Sequence, residues 1–492
     1  SDVYKRQVYA WDLSVRGAHL DATHGFFNGT SVFLCVHGQE HRACEVLLEP
    51  PPLQETGNWR VATTLPRAGA RAHGFGRYRA ADYDELIDHP VEMGQFTLAG
   101  FEHAGTKHEI AITGHHDTDT TRLTRDLQRI CAAQARLFEP RGGRPPFDRY
   151  LFQVMAVGEG YGGLEHRSST ALITQRNDLP WPGMKGVPEG YRRFLGLCSH
   201  EYFHAWHVKR IKPSGFVHHA LQTESYSRLL WLFEGFTSYY DDLMLLRAGV
   251  IDSRAYLDSL AGTVSSVLRG PGRLEQSLAD SSFDAWIKYY RQDENSPNAI
   301  VSYYAKGALV ALALDLSIRS RTKAAKSLDD VMRLLWQKFG RNFYGPDGRV
   351  CANASGLEEH AFPAMVQEAC GLDLTAQIRA WTEGTSDLPL TRLLAGAGIT
   401  MALEPADEGA ARLGIKLAES AGRTRIANVY SRGTAQRAGL SAGDELVAVD
   451  GIRADSRALK SRIERCPPGK SLSLVVFRRD ELMHLSLIQS DA

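Results

Sequence analysis

Several things are scarce or missing in this sequence. No apolar run reaches the roughly 18 residues that a membrane-spanning helix needs, so no such helix is expected. Cysteine is sparse. The seven are Cys35, Cys44, Cys131, Cys198, Cys351, Cys370 and Cys466, scattered and never in CxxC spacing. That pattern argues against a disulfide framework or a cysteine metal site and favours a reducing, cytoplasmic compartment. Neither sign of charge is in excess: Lys+Arg and Asp+Glu are 57 each. A broad basic face for nucleic acid is therefore not expected. Long-period repeats and low-complexity tracts are missing too. The chain opens Ser1-Asp2-Val3-Tyr4 with no initiator Met, and no charged-then-apolar leader follows. It reads as a fragment whose true start is missing, so this lack of a leader does not bear on localisation.

What remains is an ordinary globular composition, 43% hydrophobic and 23% charged over 492 residues, enough for about three domains. The pattern is α+β and multidomain. Residues 1–95 read as a β-domain, shortened or incomplete, with strands expected at Val8–Val15, Thr30–Val36 and Cys44–Leu48. From 96 to 250, strands at His108–Thr113 and Arg149–Val157 flank a helix over Thr121–Leu137, whose apolar face is Leu123, Leu127, Ile130, Cys131 and Ala135. Helices are expected near 192–207, 226–247, 303–319 and 327–339, with 251–394 mainly helical. The tail, 395–492, returns to strands, with a turn at Asp450-Gly451.

The chemistry concentrates in Ser199-His200-Glu201-Tyr202-Phe203-His204. On a helix, positions i and i+4 share a face, so His200 and His204 can point at one metal ion. Glu201 can then take a proton from a water held there. Two packed or solvated histidines would read the same way. Leu230-Trp231-Leu232-Phe233-Glu234-Gly235-Phe236 places a lone carboxylate in an apolar run. Such a group is seldom buried without a metal or a cation, and Glu234 would complete a His₂Glu zinc set. Tyr161-Gly162-Gly163-Leu164-Glu165-His166 follows a strand. Gly162 and Gly163 let backbone approach a ligand closely, and Glu165 could meet a peptide's free amine; a plain glycine turn is the alternative. In Ser302-Tyr303-Tyr304-Ala305-Lys306-Gly307 a tyrosine hydroxyl could donate to an oxyanion, or both rings could simply pack.

Taken together, these segments resemble the gluzincin metallopeptidases, and most closely the glycyl aminopeptidase family. The resemblance runs from about Tyr9 to the C-terminus. It implies a thermolysin-like catalytic domain of mixed sheet and helices, followed by a PDZ domain. It implies one zinc ion on His200, His204 and Glu234, with Glu201 as general base. Glu165 would hold the substrate amine in the manner of the aminopeptidase N relatives, and Tyr304, rather than Tyr303, would steady the oxyanion. Glu234 follows His204 by 30 positions, a spacing longer than in the aminopeptidase N group but like the glycyl aminopeptidases. His166 stands where those relatives usually carry Asn, which weakens the case for amine recognition relative to hydrolysis. His207 is offset from the His200/His204 face and reads as a supporting or surface residue. Gly433 to Leu440 and Ala442 to Gly451 look PDZ-like, and the amides of Leu413, Gly414 and Ile415 could hold a peptide C-terminus.

The leading expectation is a zinc aminopeptidase that releases small N-terminal residues such as Gly. The alternatives are an endopeptidase or oligopeptidase indifferent to the amine, and a PDZ adaptor with an inactive catalytic domain. Peptides are the expected partners, with no nucleic acid and no membrane span. His115-His116-Asp117 reads as a loop, His218-His219 as an exposed connection and Asp241-Asp242 as a solvated helix face.

Overall fold

The computed structural model describes residues 5–52, 58–218, 221–404, 409–420, 422–467 and 469–488; the first four residues and His219 lie outside them. The chain forms two compact units. One is Ser1–Ser225, Phe236–Leu260 and Lys326–Asp373; the other is Tyr226–Gly235, Ala261–Ala325 and Leu374–Ala492.

The first unit begins with a four-stranded antiparallel sheet, ordered Ala18–Leu20, His24–Phe27, Val91–Gly94, Arg60–Ala62, and a separate two-stranded ribbon of Cys44–Leu48 and Gly76–Ala80. Two expected strands are corrected here. Gly29–Val32 is a short helix followed by irregular chain. Strand His24–Phe27 is already paired on both sides, so the segment that follows cannot pair with it, and β-branched residues alone do not make a strand. Over Val8–Val15 only a single bridge forms, between Trp11 and His19.

A five-stranded mixed sheet follows. Its members are β1 (Phe96–His103), β2 (Thr106–Thr113), β3 (Arg149–Val157), β4 (Gly162–Glu165) and β5 (Ser169–Gln175), in the order β4-β5-β3-β2-β1. Strands β2, β3 and β5 run parallel, while β1 and β4 are antiparallel edges. Apolar on both faces, β3 sits in the middle, as a doubly covered strand should. Helix α1 (Thr120–Phe138) is started by the Asp119 carboxylate, which accepts from the Arg122 amide. Its expected apolar face is buried. Helix α2 (Glu189–Phe203) starts after Pro188 with Glu189 in its first turn, favourable to the helix dipole. Nearly all of its second half is buried, and it lies against β4 and β5.

In the second unit, α3 (Leu230–Phe233) packs on α6 (Ala305–Arg321), a central helix apolar on nearly every side. Between them in the chain come α4 (Gly235–Arg247), which lies in the first unit from Phe236 onward, and α5 (Ser253–Arg269). The tail forms an antiparallel sheet of β6 (Ile415–Ser420), β7 (Arg423–Val429), β8 (Glu445–Val449), β9 (Ser471–Arg478) and β10 (Glu481–Ile488), in that order. Helix α7 (Ser456–Arg465) covers it, and Leu413, Ile426, Leu446, Leu459, Leu474 and Val476 belong to its own core. Asp450 and Gly451 both take positive φ, as a tight hairpin turn requires. Among the described residues, no helix is long and apolar enough to cross a membrane.

Candidate active site

The end of α2 organises the first unit's candidate functional residues. One turn apart, His200 and His204 bring their Nε2 atoms to 3.1 Å of each other. Their other ring nitrogens are both engaged. His200 Nδ1 lies 3.2 Å from Asp241 Oδ2, and His204 Nδ1 lies 2.7 Å from the His207 carbonyl oxygen. Two imidazoles that present Nε2 to one point, with Nδ1 held by oxygen acceptors, form the donor set a zinc ion takes.

The support behind them is built in. Gln134, from α1, donates to the Ser199 carbonyl and hydroxyl oxygens at 2.8 Å each, and the Ser199 hydroxyl donates to the Asp241 carbonyl at 2.8 Å. Helices α1, α2 and α4 are thereby tied together directly under the histidines. Burial pushes the Asp241 carboxyl up to about 6, while its bond to His200 works the other way. Asp241 corrects the sequence reading. It is not a solvated face residue but the acceptor that orients His200, while Asp242 pairs with Arg192 at 3.0 Å. The i+7 spacing from Glu234 to Asp241, two helical turns, was the available signal. His207 is fully buried, so the supporting half of its reading stands and the surface half does not.

Glu165, Glu201 and His204 bring potential ligand atoms within 4.8 Å of one another. Glu201 is buried. The two glycines of β4 differ in what they do. A Cβ on Gly163 would sit 2.2 Å from Glu201 Oε1, whereas one on Gly162 would meet nothing within 4 Å. Gly163 is thus a true close approach of backbone to the carboxylate, and Gly162 is not. The outer edge of β4 is unpaired by any strand among the described residues, so it offers main-chain groups beside Glu165. His166 turns away from this edge: its Nδ1 lies 3.0 Å from Asp88, which also binds Arg167 and Lys209.

In the second unit, Glu234 follows the last turn of α3 and is half-buried. Tyr303 and Tyr304 stand at the entry to α6, rings stacked at 4.6 Å, and both hydroxyls lie 3.3 Å from that of Tyr290. Tyr303 is fully buried, while Tyr304 keeps some exposure. Burial, then the Glu234 charge, pushes the Tyr304 hydroxyl well up, so it stays protonated and able to donate. Two glycines bring these segments together. A Cβ on Gly235 would come within 2.6 Å of Gly307 Cα, and one on Gly307 within 2.6 Å of the Trp231 carbonyl oxygen.

In the tail, the Gly414 amide is already used, donating to the Ala411 carbonyl at 3.0 Å. The side chains of Leu413 and Ile415 are buried in the core. The expected three-amide cradle is therefore not wholly available for a ligand.

Comparison with known proteins decides the family. The model for M61 glycyl aminopeptidase matches residues 193–310, that for the peptidase M61 N-terminal domain residues 4–95, and that for a PDZ domain residues 411–488. A crystal structure of an aminopeptidase N family protein from Idiomarina loihiensis is 41% identical, with a TM-score of 0.90, covering 98% of this chain and 81% of that one. The chain belongs to the M61 glycyl aminopeptidase family. It is a peptidase-family protein with an N-terminal β-domain, a helical catalytic region and a C-terminal PDZ domain. An M1 zinc metallopeptidase from Deinococcus radiodurans is 14% identical, with a TM-score of 0.49 and coverage of 78% and 75%. A mutant of that enzyme bound to a Tyr-Ser-Ala substrate has a TM-score of 0.48 at 14% identity, with coverage of 76% and 73%. No curated protein matches the chain.

Proposed function

We propose that this peptidase is a zinc aminopeptidase that releases small N-terminal residues such as Gly from peptides. The observation that carries the metal reading is the converging Nε2 pair of His200 and His204, each with its Nδ1 held by an oxygen. Glu234 is proposed as the third ligand. The domain partition proposed with it is 1–95, 96–250, 251–394 and 395–492.

A bound zinc ion supplies Lewis acidity toward a water and the scissile carbonyl. The chain's own residues do the rest. Glu201 accepts the proton of the attacking water and returns it to the leaving nitrogen. Tyr304, protonated, donates to the developing oxyanion. The edge of β4 pairs with the substrate backbone, with Gly163 keeping that backbone close to Glu201. Glu165 meets the substrate's ammonium group and so selects a free N-terminus.

The test pairs Gly-, Ala- and Leu-anilides with their N-acetylated forms, using protein of measured zinc content and Glu201→Gln as the blank. Cleavage confined to free amines is expected. Equal cleavage of both forms makes the protein an endopeptidase, and a rate no higher than the blank overturns the enzymatic reading.

A further inference from the structure

A cavity of the second unit lies close to the tyrosines, between the PDZ domain and the helical segment 266–305. Its volume is about 800 Å³. From the PDZ side it is lined by β6, the edge strand of the tail sheet, and by the start of α7. From the other side it is lined by the end of α5, by Tyr289 and by Ser302. The two walls are held in register. Asn298 donates to the Val429 carbonyl at 2.9 Å and accepts from the Ser431 amide at 2.8 Å, and Asn428 donates to the Glu294 carbonyl at 3.0 Å.

The charge of this cavity is one-sided. Arg269, Arg273, Lys416, Arg457 and Lys460 line it, and among the described residues no carboxylate does. Arg273 is neutralised by Asp387 at 2.8 Å. Arg269, Lys416 and Arg457 make no ion pair among the described residues, and Lys460 reaches Glu464 only at 3.9 Å. Glu419, which accepts from the Ser456 hydroxyl at 2.5 Å, is not part of the lining. Unpaired like charges around one concavity repel each other and favour an anionic occupant.

We infer that this cavity is a composite docking site for an acidic peptide segment, held jointly by the PDZ domain and the α5 wall. The segment would add to the free edge of β6 as a strand, with Ile415 and Leu417 supplying apolar contact. Its carboxylates would be met by side-chain cations on both walls, since the Gly414 amide is already occupied. Tyr289 links the cavity to the proposed oxyanion donor: its hydroxyl lies 3.3 Å from the Ser302 hydroxyl, and its ring packs on Tyr303 and Tyr304 at 4.7 and 5.7 Å. The inference rests on the peptide-binding part of the proposed function but not on hydrolysis.

The experiment measures fluorescence anisotropy of a labelled peptide of about ten residues, with two glutamates near a free C-terminus, on the full Glu201→Gln chain. A second probe carries lysines at those two positions. The acidic probe is expected to bind at least about tenfold tighter, with affinity falling as salt shortens the Debye length below its physiological value of about 8 Å. Arg457→Glu with Lys460→Glu, and separately Arg269→Glu, should each weaken the acidic probe several-fold while leaving the melting temperature unchanged. Arg269→Gln and Arg457→Gln serve if a reversal disturbs folding. Equal binding of the two probes, no binding of either, or a loss confined to the PDZ-side variants overturns the composite acidic site. Because the blank chain is used, a failure of the anilide assay leaves this result readable, and the reverse also holds.

Discussion

At the level of single side chains, the most telling contact is one that involves no side chain on one partner. Backbone at Gly163 lies so close to Glu201 that a methyl group there would come within 2.2 Å of Oε1. The displaced group is the far end of a flexible side chain, so Gly163→Ala should fold normally while moving the proposed base. Activity should fall on the order of ten- to a hundredfold, up to the lower end of the 10²–10⁴ a general base contributes because the base is moved rather than removed, with an unchanged melting temperature. Gly162→Ala, facing open space, should stay near wild type. A Gly163→Ala enzyme with normal kcat, or one that loses activity only with stability, would contradict this. Asp241 offers a second test. It holds His200 through Nδ1, and partners of that kind set metal affinity by about 10–100-fold. Asp241→Ala should therefore weaken zinc binding by that factor in a chelator competition titration, with the secondary structure kept. Both residues were visible in the sequence, but only Gly163 was singled out there. Two adjacent aspartates on a helix look the same whether they face water or a histidine.

Among elements, the close contact of α3 and α6 depends on glycine. The atoms that a Gly307 side chain would strike are the Trp231 carbonyl and Gly235 Cα, which are backbone and cannot rotate aside. Gly307→Ala should cost about 1–3 kcal/mol, the usual range for overpacking. Urea unfolding should show it as a lower midpoint at constant slope. Helix and strand assignments followed from periodicity where the pattern was long. The apolar spacing from Leu123 to Ala135 marks a real buried face, and Arg149–Val157 is a strand over its whole length. The same reasoning failed for Thr30–Val36, where strand-favouring residues could not pair with the strand before them. A helix completes its hydrogen bonds within itself, whereas a strand depends on a partner that sequence patterning does not reveal.

For the molecule as a whole, pH tolerance has an identifiable contributor in the first unit. The bond from His73, then those from Lys107 and Arg149, hold the Glu109 carboxyl down to about 2 against its burial. A carboxyl depressed in the folded state stabilises fully above its unfolded value, near 4.3, and that contribution is lost as pH falls toward 2. Glu109→Gln should therefore be less stable than wild type at pH 6 and approach it as the pH drops to about 2. Urea midpoints across that range would show it, and parallel curves would refute it.

The helix that carries His200 and His204, the glycine strand beside it and the strand-rich tail could all be read directly from the chain, because each depends on residues a few positions apart. An i, i+4 histidine pair has one possible face whatever surrounds it. Four features required the folded chain: Asp241 behind His200, Gly163 against Glu201, Gly307 against Trp231, and the one-sided charge of the cavity between β6 and α5. Each joins segments separated by tens to more than a hundred positions. Such pairings depend on how helices and sheets pack, and packing is set by the summed burial of many side chains rather than by any local pattern.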